Sequence, residues 1–122
     1  MNQLVFIDRP DEVNFGIQRG ADCTIQLTFC EAVAGVPPED SPVINLTGWV
    51  WQCQFFDLNG VAKTPFTVTP VSPAMGRIDL RLTRSQTADA AALPERMTWR
   101  LFGEDAAAYK RKHLFGSIIM QS

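Results

Sequence analysis

An all-β fold is predicted for this chain: an antiparallel, Ig-like β-sandwich of about seven strands with one short helix. Three observations support it. Apolar side chains recur at every second position in several short segments, which is the period of a strand with one buried face. Turn signals rich in Gly, Pro, Asn and Asp separate these segments. Only one segment, Arg84–Leu93, has the Ala-rich composition of a helix, with Thr83 or Ser85 as its cap.

The segment Asn45–Asp57 is predicted to hold the strand around which the fold is organised. Its residues Trp49, Trp51, Cys53 and Phe55 lie two positions apart and therefore share one face of an extended chain. At roughly 25 cal/mol per Å² and ~150–250 Å² per aromatic ring, leaving that face in water would cost several kcal/mol. A second layer of strands must therefore cover it.

The remaining strands show the same alternation. The predicted inward-facing residues are Val13, Phe15 and Ile17; Cys23, Ile25, Leu27 and Phe29; Ile78, Leu80 and Leu82; Met97, Trp99 and Leu101; and Leu114, Gly116, Ile118 and Met120. The last strand is expected to run from Tyr109 to Met120, after a turn over Gly103–Ala108.

Two hairpins are predicted. The first joins the strands on either side of the tight turn Arg19–Asp22. The second turns at Asn59–Gly60, because both residues tolerate a left-handed backbone. Its returning strand is expected to begin near Val61, to break at Pro65 and to resume at Phe66–Thr69. Two further prolines, Pro70 and Pro73, indicate that this segment is an edge strand or is bulged.

The chain is interpreted as one domain. Residues 1–12 form an N-terminal arm or an edge strand, and residues 13–122 form the sandwich. The segment Glu31–Val43 has three prolines and no periodicity, so it is expected to be an exposed loop. Apolar residues on the second faces of several strands are expected to be partly exposed, as at protein contacts. These residues are Phe56, Phe102, Phe115 and Ile119.

Composition gives little reason to expect a charged partner. The formal net charge is −2, and the only basic cluster is Lys110–Lys112. Neither nucleic acid nor a membrane is therefore predicted as a partner. The three cysteines show no metal-ligand spacing, and their odd number favours a reducing compartment. The start of the chain lacks the basic and apolar regions of a secretion signal.

No catalytic, cofactor-binding or metal-binding residue is predicted, and the chain is not expected to be an enzyme. The single histidine, His113, is interpreted as a surface residue, and Cys23 and Cys53 as small core residues. Four carboxylates could in principle pair for glycoside hydrolysis, but turn and solvent-facing roles are favoured for them. The carboxylates considered are Asp57, Asp79, Glu104 and Asp105. Trp49, Trp51 and Trp99 could form a sugar-stacking platform, but a core role is favoured for them.

The order of the motifs resembles a small β-sandwich domain of tailed-bacteriophage virion proteins, the N-terminal domain of upper baseplate proteins. The motifs are Arg19–Gly20–Ala21–Asp22, Asn45–Leu46–Thr47–Gly48–Trp49, the run Gly76–Thr83, Leu93, Trp99 and Gly116. The resemblance implies a structural virion protein, a tail or baseplate component or adaptor, made in the host cytoplasm. Its partners would be other virion proteins and copies of itself, in a homo-oligomer. The alternatives are a carbohydrate-binding module and a capsid decoration protein.

Overall fold

A computed structural model describes residues 2–7, 11–105 and 111–121 of the chain. Within these ranges the chain forms ten strands and one helix. Their bounds are β1 Asn2–Ile7, β2 Asp11–Glu12, β3 Phe15–Gln18, β4 Cys23–Phe29, β5 Val50–Asp57, β6 Ala62–Lys63, β7 Thr67–Ser72, β8 Arg77–Leu82, α1 Arg84–Ala88, β9 Arg96–Glu104 and β10 Arg111–Gln121. Short 3-10 turns occur at Pro38–Asp40 and Pro73–Met75.

The strands form two sheets. The four-stranded sheet has the order β1-β4-β8-β7, with β1 parallel to β4. The six-stranded sheet has the order β2-β10-β9-β5-β6, and β3 also pairs with β10. In this six-stranded sheet β2 and β3 run parallel to β10, and the other strand pairs are antiparallel. The predicted all-β, Ig-like sandwich with one short helix is therefore confirmed. It has ten described strands rather than about seven, and three of its strand pairs are parallel where an antiparallel arrangement was predicted.

The core lies between the sheets and is built from the alternating inward residues. Trp99 is fully buried, and its ring lies 5.2 Å from Phe15 and 6.0 Å from Phe66. Phe66 also meets Phe55 edge to face at 4.8 Å. The inward-facing apolar residues predicted for β4, β8, β9 and β10 are all buried, apart from the half-buried Gly116. Interdigitating aromatic rings thus fill the space that the alternation predicts.

The tryptophans of the aromatic row lie at one end of this core. Trp49 and Trp51 are half-buried and stack with ring centroids 5.7 Å apart, and Phe29 of the other sheet lies 5.2 Å from Trp51. Gly103 of β9 pairs with Trp51 of β5. A Cβ at position 103 would overlap the indole ring of Trp51, so the glycine leaves room for it. The four-stranded sheet therefore supplies the cover that this row requires.

The predicted hairpin of β3 and β4 is wrong. The two strands lie in different sheets, and the turn Arg19–Asp22 carries the chain across the sandwich. Both strands bury an alternating face in the same core. Alternation alone therefore cannot distinguish a hairpin within one sheet from a crossing between two.

The crossing turn also holds α1. The Arg19 guanidinium donates to the carbonyl oxygens of Leu93, at 3.0 Å, and Thr87, at 3.3 Å. The buried Thr87 hydroxyl donates to the carbonyl of Ala21 at 2.9 Å and accepts from the amide of Gly20 at 3.1 Å. The Arg-Gly-x-Asp motif therefore connects the turn to the helical segment.

The hairpin at Asn59–Gly60 is confirmed, but its returning strand ends early. The Asp57 carboxylate accepts the amides of Asn59, at 2.8 Å, and Val61, at 2.9 Å, which closes the turn between β5 and β6. The prediction that the returning strand resumes beside β5 after Pro65 is wrong. It crosses to the four-stranded sheet as β7.

The placement of β7 agrees with its prolines. It lies at an edge of the four-stranded sheet, and its register with β8 shifts between Thr69 and Ser72, on either side of Pro70. The prediction of an edge or bulged strand is confirmed on both counts, because proline cannot donate to a strand ladder.

The helix is shorter than its predicted segment. A capping box fixes its start, since the Thr83 hydroxyl accepts the Gln86 amide and the Gln86 side chain accepts the Thr83 amide. After Ala88 the Asp89 carboxylate accepts the amides of Ala91 and Ala92, so a turn replaces further helix. Aspartate side chains compete with helical hydrogen bonds in this way because they bond to nearby backbone amides.

The turn before the last strand begins later than predicted, and the loop Glu31–Val43 is found as predicted. The expected turn Gly103–Ala108 begins later, because β9 continues through Glu104, and residues 106–110 lie outside the described residues. The segment Glu31–Val43 is mostly exposed, as predicted. Its ends are tied by a bridge between Cys30 and Val43.

Candidate interaction surface

The outward side chains of β5, β9 and β10 form one solvent-facing surface, which we call the outer face. Its members are Val50, Gln52, Gln54 and Phe56 on β5; Arg96, Thr98, Arg100, Phe102 and Glu104 on β9; and His113, Phe115, Ser117 and Ile119 on β10. Strand pairing sets them in rows, such as Gln52 beside Phe102 beside His113. With neighbouring strands ~4.8 Å apart, the rows make a continuous surface.

Several apolar side chains of the outer face reach solvent. Phe115 and Ile119 are each 43% exposed, and Phe56 and Phe102 are half-buried. The predicted partial exposure of these four residues is confirmed. Apolar side chains that are exposed together on one surface are typical of a contact surface, whereas single exposed apolar residues are common on any protein.

Three rings form the centre of the outer face. The imidazole of His113 lies between Phe102, at a centroid distance of 6.4 Å, and Phe115, at 5.8 Å. His113 is exposed. These three rings suit stacking on a ligand or a partner side chain.

Polar groups flank the rings. Two shallow grooves meet at Arg100 and His113. One groove is also lined by Gln52, Gln54 and Phe102, and the other by Glu12, Phe115 and Ser117 among others. The grooves therefore combine ring faces with amide and guanidinium donors, which can recognise a peptide or a sugar.

The opposite side of the sandwich is different in character. Strand pairing in the four-stranded sheet sets polar residues side by side on its outward surface. They are Thr24 and Gln26 on β4, Thr67 and Thr69 on β7, and Arg77, Arg81 and the buried Asp79 on β8. One apolar residue of β7, Val71, is 59% exposed. This contrast singles out the outer face of the six-stranded sheet as the candidate functional surface.

The tryptophans considered as a sugar platform do not form one. Trp99 is 0% exposed, and its indole N–H donates to the carbonyl of Val13 at 2.7 Å. Trp49 and Trp51 pack against the core with only part of each ring accessible. A row of three exposed indoles is therefore not available.

The carboxylates considered for hydrolysis are not brought together. Asp57 closes the β5–β6 turn and lies 3.8 Å from the Lys63 ammonium. Asp79 is buried in the other sheet. Glu104 ends β9 seven positions beyond Met97, the partner of Asp57, so at ~3.3 Å per residue the two carboxylates lie about 20 Å apart. Catalytic pairs need less than about 10 Å.

The thiols are held in their neutral form. Burial raises the pKa of Cys53 to about 11, although a hydrogen bond from the Phe66 backbone opposes the rise. Burial also raises the pKa of Cys23. Since the thiolate is the nucleophile, both residues are poor candidates for covalent chemistry.

Three other sequence features contribute no site. Of the basic cluster, Lys110 lies outside the described residues, and Arg111 and Lys112 begin β10. No group of three or more His, Cys, Asp or Glu that suits a metal ion occurs among the residues that the structure describes. In the same part of the chain no helix is long and apolar enough to cross a membrane.

Sequence reasoning missed Gln52, Gln54 and Arg100. Their outward position follows from alternation with Trp51, Cys53 and Trp99, so the signal was present in the sequence. The adjacency of β5 and β9 was the missing information, because these strands are separated by more than 30 residues. Only the sheet order shows that the amides and the guanidinium share a groove.

Comparisons with known proteins give likenesses of fold only. No known protein family matches the chain, and no curated protein is similar to it in sequence. Among solved structures, the M1 domain from titin is 8% identical, with a TM-score of 0.44 and 91% of each chain covered. The structure of PbICP-C in complex with falcipain-2 is 10% identical, with a TM-score of 0.47, and covers 99% of this chain and 100% of that one. Likenesses this weak carry no argument about function.

Proposed function

We propose that this chain is a non-enzymatic structural protein of a tailed-bacteriophage particle, a tail or baseplate component or adaptor. Its work is to hold neighbouring proteins, including copies of itself, in a fixed geometry. The order of its motifs, set out above, supports the phage assignment. The outer face supports assembly as the activity.

The proposal of assembly rests on one observation, which is that the outward-facing side chains of the two sheets differ in polarity. The outer face exposes Phe115 and Ile119 beside two half-buried phenylalanines, whereas the outward positions of β4 and β8, the two central strands of the four-stranded sheet, are polar. Solvent-facing apolar clusters are costly to keep in water and are stabilised by burial against a partner. A net charge of only −2 leaves little electrostatic repulsion between copies.

The test is incorporation into particles. Phage particles made in a host that expresses the chain are purified, and its copy number is measured by quantitative mass spectrometry. The double variant Phe115→Ser/Ile119→Ser should be incorporated at least 10-fold less than the wild type. The matched control is Leu58→Ser/Val61→Ser, which removes two apolar side chains that are 73% and 54% exposed but lie at the β5–β6 turn.

Two results bear directly on the proposal. Absence of the wild-type chain from purified particles would overturn it, and so would equal incorporation of both double variants. Labelling the chain in intact particles then separates locations. Label on the tail supports the tail or baseplate assignment, whereas label on the head supports a capsid decoration protein instead.

A second candidate function, carbohydrate binding, is favoured by one observation. The groove that contains Arg100, Phe102 and His113 also holds the amides of Gln52 and Gln54, a combination of stacking and hydrogen-bonding groups suited to a sugar. Binding of host surface polysaccharide, measured by calorimetry, should be lost in Phe102→Ala and retained in Trp49→Phe. No binding by the wild type would exclude this function.

A further inference from the structure

Two arginines of the outer face present their charge to solvent. Arg96 and Arg100 both lie on β9, and both side chains are exposed. Among the residues that the structure describes, neither guanidinium group makes an ion pair or a side-chain hydrogen bond. The two arginines lie four positions apart on one face of the strand, which at ~3.3 Å per residue separates them by about 13 Å.

Each of these arginines lies beside an exposed apolar residue. In the register of β9 with β10, Arg100 pairs with Phe115 and Arg96 pairs with Ile119. The two apolar side chains are the ones that are each 43% exposed. The outer face therefore presents the same couple, a cation beside an apolar side chain, twice along these two strands.

The carboxylates near this part of the outer face lie at its margins. Glu104 ends β9, four positions or about 13 Å from Arg100, and pairs in register with Arg111. Glu12 pairs in register with Phe115, so β10 separates it from Arg100 by two strand spacings, or about 10 Å. The centre of the outer face, where the two grooves meet at Arg100, is therefore cationic.

Two arginines of the other sheet have different surroundings. Arg77 and Arg81 are also exposed and also lie four positions apart, on β8. The carboxylate residue Asp79 lies between them on the same face, and their register partners on β4 are Thr28 and Thr24. On β9 a threonine occupies the position between the arginines. The combination of cations with exposed apolar side chains thus distinguishes the outer face.

We propose that the outer face binds another protein of the particle through a surface that presents Asp or Glu carboxylates next to apolar side chains. A guanidinium group can bind a carboxylate through two parallel hydrogen bonds, and arginine is enriched in contacts between proteins. Burial of Phe115 and Ile119 against the apolar part of the partner removes water from around these ion pairs, which strengthens them. The inference rests on the proposed function and deepens it by naming the chemistry of the partner.

Charge favours a different protein over a second copy as the occupant. A two-fold contact between two outer faces, centred where the grooves meet, would bring the two Arg100 guanidinium groups together. Like charges that face each other across an interface oppose binding. A surface with carboxylates instead compensates the charge of both arginines.

Removal of the two charges tests the contact. The double variant Arg96→Gln/Arg100→Gln keeps polar side chains at both positions. Its copy number in purified particles should fall by about 10-fold or more, because arginine is a frequent hot-spot residue in protein interfaces. The matched control Arg77→Gln/Arg81→Gln removes the same charge from the other sheet and should be incorporated like the wild type. Circular dichroism verifies that both variants are folded.

Carbodiimide crosslinking tests the chemistry of the partner directly. Arg100→Lys keeps the positive charge and supplies a primary amine, which a carbodiimide couples to a carboxylate in contact with it. In particles that contain this variant, mass spectrometry should find an amide bond between the new amine and an Asp or Glu of another protein. The matched control Arg81→Lys places the amine on the other sheet and should give no crosslink to that protein.

The outcomes separate this inference from the proposed function. Equal incorporation of the two glutamine variants would overturn the acidic partner, and so would a crosslink that forms only within the chain, only to a second copy or not at all. If this happens while Phe115→Ser/Ile119→Ser is still lost from particles, the proposed function stands and only the chemistry of the partner is wrong. Absence of the wild-type chain from particles would overturn both.

Discussion

At the scale of single residues, Trp99 fills the core with its ring and anchors the segment between β2 and β3 with its N–H. The indole donates to the carbonyl of Val13 at 2.7 Å from a fully buried position. Trp99→Phe keeps an aromatic ring but leaves this carbonyl without its donor. Because an unsatisfied buried acceptor costs roughly 1–3 kcal/mol, and part of the ring area is also lost, the free energy of unfolding should fall by about 3 kcal/mol. Urea denaturation measures the change.

The matched control for this prediction is Trp49→Phe. Trp49 is half-buried and stacks on Trp51, so the smaller ring loses area without orphaning a carbonyl of the core. The expected loss is below about 1.5 kcal/mol. Equal losses in the two variants would show that the indole hydrogen bond contributes nothing of its own.

Cys53 gives the protein a dependence on alkaline pH. Burial raises its pKa to about 11 in the folded state, from 9.0 in the unfolded chain. Between these two values the folded state binds the proton and the unfolded state releases it. The contribution of the protonated Cys53 thiol to the free energy of unfolding is therefore fully present below pH 9. It is lost as the pH rises through 11, which lowers the free energy of unfolding by about 2 kcal/mol.

The variant Cys53→Ala isolates this effect. Its stability at pH 8 should be lower, because a small cavity forms, but its decline between pH 9 and 11 should be about 2 kcal/mol shallower than that of the wild type. Urea midpoints at four pH values across this range give the comparison. Parallel declines in both proteins would contradict the assignment to this thiol.

At the scale of strands and turns, Gly116 decides how β2 and β3 attach to β10. A Cβ at this position would overlap the carbonyl oxygen of Val13, which lies between the two short strands. Gly116→Ala should therefore displace Val13, break its amide hydrogen bond to Phe115 and weaken the Trp99 bond to its carbonyl. The expected loss is at least about 3 kcal/mol in the free energy of unfolding.

Gly16→Ala is the control on the same pair of strands. A Cβ at Gly16 would meet only the far end of the Gln121 side chain, at 3.0 Å, and this side chain can move. Its expected cost is below about 1 kcal/mol. Hydrogen exchange should show faster exchange at the Val13 amide in Gly116→Ala only. Similar stability of the two variants would indicate that β10 tolerates a side chain at 116.

The sequence predicted the faces of strands better than their sheets. Alternation identified the buried residues of β4, β8 and β9 because burial depends on the residue's own side of the strand. It misplaced β3 and β7, because a strand buries the same face whichever sheet it joins. The candidate site shows the same limit: Phe102 and Phe115 were expected to be partly exposed, but the groove that Phe102 shares with Gln52 depends on strand order.

At the scale of the whole molecule, the N-terminal strand β1 either stabilises this chain's own fold or contacts a neighbouring protein, and a deletion distinguishes the two roles. β1 extends the four-stranded sheet through six register pairs with β4, and Val5 is half-buried against the core. Deleting residues 1–10 removes these interactions and turns β4 into a new edge. We expect the free energy of unfolding to fall by about 2 kcal/mol or more, with a smaller urea m-value because less surface is buried.

The variant Val5→Ala calibrates this expectation, since it removes part of one side chain and keeps the strand. Its loss should be about 1 kcal/mol with an unchanged m-value. If the deletion leaves the stability and the m-value intact but lowers incorporation into particles, residues 1–10 act as an arm that docks on a neighbour. A destabilised but folded deletion variant that is still incorporated into particles would instead assign β1 to the fold and leave the outer face to assembly.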